Sequence, residues 1–171
     1  KPFSETDAPA PEDPYGVTKR EAEEALFEIA RVRGIEAVCL RPPLVYGPGV
    51  RANFAALMTL CDSGLPLPFG GITHNRRSLI FVGNLTSAIK AALSHENAAG
   101  RVFLVRDGED LSTAGLIRVL RQALGRSPRL VPVPASWLNA MLCLIGRRVM
   151  AERLLGSLTI DDRAFRTTLG W

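Results

Sequence analysis

Tyr15 and Lys19 are four residues apart at the start of GVTKREAEEALFEIARVR (16–33), where Ala22, Ala25, Leu26, Ile29 and Ala30 recur at helical spacing. On a helix this spacing projects a phenol and an ammonium from one face. A phenol titrates near pKa ~10 and needs about 4 kcal/mol of differential stabilisation to act near neutrality. A neighbouring cation favours the phenolate and supplies part of that. Such a pair can take and return a proton. Taken alone the spacing is common: average residue usage produces one Tyr-x-x-x-Lys by chance in about a third of chains this size.

Other chemistry-bearing patterns are sparse. Cys39, Cys61 and Cys143 sit singly in apolar segments with no CxxC, and the histidines are His74 and His95, so no metal-ligand spacing exists. An odd, scattered cysteine set argues against a disulfide framework and for a reducing compartment, and the expected location is the cytoplasm. Gly47-Pro-Gly-Val-Arg-Ala52 fits a G-x-G-x-x-G/A dinucleotide pattern after a strand, yet a Gly/Pro-rich loop (63–76) stands where a second strand should follow. Pro48 also removes an N–H that could face a phosphate. We read this segment as the turn leaving the sheet.

The elements that must position the pair follow from periodicity. Helix 16–33 stops at Gly34, and IEAVCL (35–40) is an apolar run suited to a buried parallel strand, ending at Arg41-Pro42-Pro43. Then come a helix at 52–62, strand SLIFV, a helix at 84–95, strand VFLV (102–105), and a helix from Ser112 to Gly125. The tail reads as extended LVPVP, a helical stretch 135–155 broken near Gly146, a strand SLTI, and a helix capped by Asp161 that ends at Leu169-Gly170. Alternation of strands and helices predicts an α/β protein. The longest apolar run, Trp137 to Gly146, is too short to span a bilayer. The net charge of +4 and pI of 9.3 arise from scattered pairs such as Arg76-Arg77 and Arg147-Arg148. This is no nucleic-acid-tracking stripe, whereas an anionic small substrate such as a diphosphate suits it.

Three blocks in order, PYGVTKREAEEAL, RPPLVYGPG at a strand end, and NRRSLIFVGNLTSAI, resemble the extended short-chain dehydrogenase/reductases, specifically the NAD-dependent nucleotide-sugar epimerases and dehydratases. KPFSETDAPAPEDP is similar to the family's loop before its catalytic tyrosine, and FLVRDGEDLSTAGLIRVL with the closing Leu-Gly-Trp resembles its tail. The resemblance implies the C-terminal part of a Rossmann-like doubly wound parallel sheet (1–50) plus a smaller mixed α/β substrate-binding lobe (51–171). The glycine-loop half would lie before Lys1, and the chain by itself is expected to be inactive.

By that resemblance Tyr15 is the acid/base, and Lys19 supports it and holds the nicotinamide ribose of NAD, with NADP as the alternative. A positively charged nicotinamide ring would supply the rest of the phenolate's stabilisation. Pro42, Pro43 and Val45 would line the nicotinamide end. Leu44 stands where several epimerases carry asparagine, which removes one polar sugar contact. Asn53 and Phe54 would meet the substrate diphosphate, partly through helix-start N–H groups, and Arg77 would grip it with a guanidinium fork. A second arginine is expected near the C-terminal end, with Arg153 and Arg163 as candidates. The implied activity is UDP-sugar 4-epimerisation in surface-polysaccharide synthesis by a homodimer. A 4-ketoreductase, a dehydratase, or a non-catalytic dinucleotide or nucleotide-sugar sensor on the same fold are the alternatives.

Overall fold

A computed structural model describes every residue except Glu12 and Arg51, and the side chains of Ala52 and Asn53 also lie outside the description. The elements in chain order are α1 (Pro14–Arg33), β1 (Val38–Arg41), β2 (Leu44–Tyr46), α2 (Ala52–Asp62), β3 (Leu79–Phe81) and α3 (Val82–Ser94). A 3-10 turn (Glu96–Ala98) precedes β4 (Arg101–Leu104), α4 (Thr113–Ala123), α5 (Ala135–Leu144), α6 (Arg148–Leu155) and α7 (Arg163–Leu169). β1 pairs with β4 in parallel, Val38 opposite Arg101 through Arg41 opposite Leu104, and β2 pairs with β3. No described helix is long and apolar enough to cross a membrane.

The chain forms two compact units that are not consecutive in sequence. The first gathers Lys1–Val45, Ile80–Asp107 and Ile160–Trp171; the second gathers Tyr46–Leu79 and Gly108–Thr159. In the first unit, Ile80, Ala88, Phe103, Val105, Phe165 and Leu169 form the core. Phe165 meets Phe103 and Trp171 edge to face, each at 5.4 Å between centroids, a preferred aromatic geometry. β1 is half-buried along its length rather than fully buried, because β4 is its one partner among the described residues.

The second unit packs Cys61, Leu67, Phe69, Ile117, Leu138 and Leu142 between its helices. Arg121 is fully buried there and donates to the carbonyls of Leu65, Ser127 and Arg129, so the cation ties two loop segments together, adding to the bonds that the Ser127 and Arg129 carbonyls already accept from Arg129 and Leu67 N–H. Buried Asn75 does similar work, receiving from Thr113 N–H at 3.0 Å and donating to the Thr113 hydroxyl at 2.9 Å.

Capping residues explain several boundaries. Asp13 accepts from Gly16 N–H at 2.7 Å with Pro14 opening α1, and Gly34 closes that helix in the left-handed region at φ 66°. Ser112 caps α4 through Gly115 N–H at 3.0 Å. Asp107 accepts from Phe81 N–H and from the Asn84 amide (2.8 Å), completing the start of α3 from a distant turn. The expected strand SLTI is instead a crossing point. Leu158 bridges to Arg77 and Ile160 to Phe3, so the segment changes partner before a ladder can form. Asp162 rather than Asp161 precedes α7, while Asp161 accepts from Arg163 N–H at 3.1 Å.

Candidate functional site

The start of α1 is held firmly. Besides the Asp13 cap, the Thr18 hydroxyl donates to the Tyr15 carbonyl at 2.9 Å. Tyr15 is 69% exposed, and the Lys19 ammonium lies 5.3 Å from its ring centroid. The helix thus brings both groups to one open face, as the four-residue spacing requires. Among the described residues Lys19 has no carboxylate partner within ion-pair distance. A cleft of about 290 Å³ opens beside them, lined by Pro9, Pro11, Gly16, Lys19, Glu23 and Arg41.

Glu23 and Arg41 tie this helix to β1. The Arg41 guanidinium donates to both Glu23 oxygens, at 2.9 Å from Nε and 2.6 Å from its second nitrogen, and the Cys39 thiol donates to the same carboxylate at 3.2 Å. The arginine fork holds the Glu23 carboxyl below its usual range, against the opposing effect of burial. Burial, then the Glu23 carboxylate, pushes the Cys39 thiol up to about 11, which keeps it protonated at neutral pH. Sequence reasoning gave this pair no role, although Glu23 lies within the first block four residues after Lys19 and Arg41 opens the second.

Beyond β1, Pro42 and Leu44 are exposed, whereas Pro43 and Val45 are half-buried and Val45 packs on the first unit's core. This alternation is that of a strand with one wet face. Pro42 to Val45 share a unit with Tyr15, but among the described residues no hydrogen bond or ring contact joins them. The glycine pattern that follows is a turn: Val50 N–H returns to the Gly47 carbonyl at 3.1 Å, with Pro48 second and Gly49 at φ 79° third. Pro-Gly at those positions is the signature of a type II turn.

The second unit carries the remaining candidates. The Phe54 side chain is buried and stacks on Tyr46 at 5.8 Å, so only its main chain at the start of α2 is available to a ligand. The Asn53 side chain lies outside the described residues. Arg77 is fixed through its backbone by an antiparallel bridge to Leu111 and a parallel one to Leu158. Its guanidinium reaches the Glu152 carbonyl at 3.4 Å, while its Nε is buried without a partner. Burial, then the like charge of Arg153, lowers the pKa of Arg77.

Two cations that repel, one with an unmatched buried donor, form a locus suited to an anion. Arg153 also lines an apolar cleft of about 450 Å³ with Leu57, Leu60 and Phe69. Arg163 is different: it belongs to the first unit, is exposed, and donates both Nε and a terminal nitrogen to Asp161. No group of three His, Cys, Asp or Glu residues among the described residues could hold a metal ion.

The family model described as "NAD dependent epimerase/dehydratase family" matches residues 1–105. The chain is 46% identical over 170 residues to the UDP-glucose 4-epimerase of Vibrio cholerae, covering 99% of this chain and 52% of that protein. Among solved structures, it superposes on the UDP-N-acetylglucosamine 4-epimerase from Bacillus cereus with a TM-score of 0.77 at 20% identity, covering 99% of this chain and 54% of that one. The UDP-glucuronic acid 4-epimerase from Bacillus cereus in complex with NAD gives a TM-score of 0.74 at 23% identity, covering 100% and 50%. These likenesses establish the fold, and the chain spans about half the length of the relatives it matches.

Proposed function

The chain belongs to the NAD dependent epimerase/dehydratase family, and from that premise we propose that the whole protein is a nucleotide-sugar 4-epimerase acting on a UDP-linked sugar, with Tyr15 as its acid/base. The observation that carries the reading is the Lys19 ammonium 5.3 Å from the exposed Tyr15 ring, on a helix anchored by Glu23 and Arg41. A protein that only sensed a dinucleotide would have no use for a solvent-facing phenol beside an ammonium. The UDP-glucose 4-epimerase similarity over nearly the whole chain supports the substrate class.

The residues present fit one end of the dinucleotide. Tyr15 and Lys19 present a hydroxyl and an ammonium suited to a ribose, and Pro42 is an exposed apolar wall in the same unit. When bound, NAD supplies a reversible hydride acceptor. The phenolate oxygen of Tyr15 takes the proton of the sugar hydroxyl as that carbon is oxidised to a ketone, and it returns the proton when the centre is reduced from the other face. Lys19 would hold the ribose through its ammonium and sets its charge beside the Tyr15 ring. In the second unit, Arg77 and Arg153 hold the substrate diphosphate. We assign the second arginine to Arg153 because its charge acts on Arg77, whereas Arg163 is occupied by Asp161. Leu44 offers the sugar an apolar contact.

The test is interconversion of UDP-sugars by the natural-length protein with NAD, in wild type and in Tyr15→Phe. Loss of the phenolic oxygen should cut turnover about a hundredfold or more, the scale of a general acid/base contribution. Near-normal turnover would remove the mechanism. Net consumption of NADH with a keto sugar and no interconversion would make the protein a reductase of the same family.

A further inference from the structure

Helix α5 is apolar on two faces and packs only one of them. Leu138 and Leu142 are buried in the second unit's core. Trp137, Met141 and Leu144, at i, i+4 and i+7, form a second stripe that is 74%, 50% and 87% exposed, and Ile145 extends it at 60%. A helix apolar around its circumference is normally enclosed, and contiguous exposed apolar side chains mark an interaction surface. The ten residues of α5 span about 15 Å, half the thickness of a bilayer's hydrocarbon core of about 30 Å. An element of this length is too short to cross a bilayer.

Charge identifies the partner. The second unit holds ten arginines against four carboxylates, a net +6, while the first holds eleven basic against thirteen acidic side chains, a net −2. Arg147 and Arg148 directly follow the apolar stripe. Among the described residues Arg148 has only an exposed i,i+4 pair with Glu152 at 3.1 Å, a contact that exchanges readily. A second copy of the same face would bring two cationic units together and is disfavoured. An anionic lipid surface satisfies both features, with apolar side chains in the acyl boundary and guanidinium groups on the phosphates.

We propose that α5 and the Arg147-Arg148 turn seat the second unit on an anionic membrane surface, with Trp137, Met141 and Leu144 inserted at headgroup depth. Trp137 suits that depth because its ring is apolar with one N–H donor. The inference stands on α5, the turn that follows it and the unit's charge, and it does not require the proposed sugar chemistry.

The test uses the natural-length protein with vesicles of phosphatidylcholine, with and without phosphatidylglycerol. Binding measured by co-sedimentation should appear with phosphatidylglycerol only and weaken with salt, and Trp137 emission should shift to the blue. Leu144→Glu should lower partitioning about tenfold or more, and Arg148→Ala about fivefold. Trp137→Phe should abolish the emission shift while binding persists. All three positions are exposed, so circular dichroism and melting should match wild type, and a variant that fails this check is replaced by Met141→Gln. No binding, or equal binding to neutral vesicles, overturns the proposal. So does a self-associated wild type that Leu144→Glu converts to monomer in sedimentation velocity, since a second copy would then cover the stripe.

Discussion

Replacing Arg41 with methionine keeps most of the side chain's length and removes its fork, and it should destabilise the protein by about 2 kcal/mol. The magnitude follows from burial. Exposed ion pairs are worth about 0.2–1 kcal/mol, whereas removing one partner of a buried pair costs about 3–5 kcal/mol. Arg41 is 29% exposed and Glu23 only 16%, so the pair lies between these limits. Without the fork, Glu23 keeps a single weak donor, the Cys39 thiol at 3.2 Å. Glu23→Gln strands the better-exposed partner and should cost about 1 kcal/mol, and the double variant should lie closer to wild type than the sum. Urea denaturation of the natural-length protein reads these differences directly. Because Arg41 lowers the Glu23 pKa in the folded state, the pair's contribution is complete above the unfolded carboxylate pKa. It fades as pH falls through the lower folded value. Wild type and Arg41→Met should therefore converge in acid. A loss under about 0.5 kcal/mol, or a gap that widens in acid, would refute the reasoning.

Two further outcomes follow from the same structure. Arg77→Ala should weaken nucleotide-sugar binding about ten- to a hundredfold, the loss of a charge-assisted hydrogen bond, and leave cofactor affinity nearly unchanged; equal losses of both in titration calorimetry would show the assignment is wrong. N-ethylmaleimide should label exposed Cys143 first, with Cys39 slow because its thiol is raised to about 11 and Cys61 slowest because it is buried. Glu23→Gln should quicken Cys39 in peptide mapping by mass spectrometry, and an unchanged rate would contradict the contact.

What was legible in the sequence was local. Gly34, Ser112 and the Gly146 break lie where a cap or a left-handed residue is needed, and they bound α1, α4, α5 and α6. Three-residue β2, between Pro43 and Gly47, is too short for any period to register. SLTI reads as a strand because its apolar content is right, but its pairing is split between Arg77 and Phe3. The interleaving of the two units is invisible locally, since β1 meets β4 some sixty residues later in the chain. The same division holds at the site. Tyr15 and Lys19 show themselves through four-residue spacing on one helix. The Arg77–Arg153 neighbourhood and the Glu23–Arg41 fork depend on segments returning from elsewhere, and a glutamate four residues after a lysine reads as an ordinary solvated helix face.

Tyr15, Lys19 and Glu23 occupy positions i, i+4 and i+8, so one stripe of α1 begins with exposed chemistry and ends in an anchor to β1. The helix is continuous from Pro14 to Arg33, and what fixes its rotation about its own axis also aims Tyr15. A helix with side chains is about 10–12 Å across, so a rotation of about 10° moves a side-chain tip by about 1 Å. A misplacement of that size at reacting atoms costs on the order of a hundredfold in rate. Glu23 and Arg41 are therefore positioning residues. Glu23→Gln retains one acceptor oxygen and should lower kcat about tenfold while sparing the KM for the nucleotide sugar. The pH profile of kcat should keep its shape, because the proton is carried by Tyr15 and not by the carboxylate. If instead the profile shifts along the pH axis while kcat at the optimum is preserved, Glu23 acts on the ionisation of the pair itself and the mechanical account of the anchor fails.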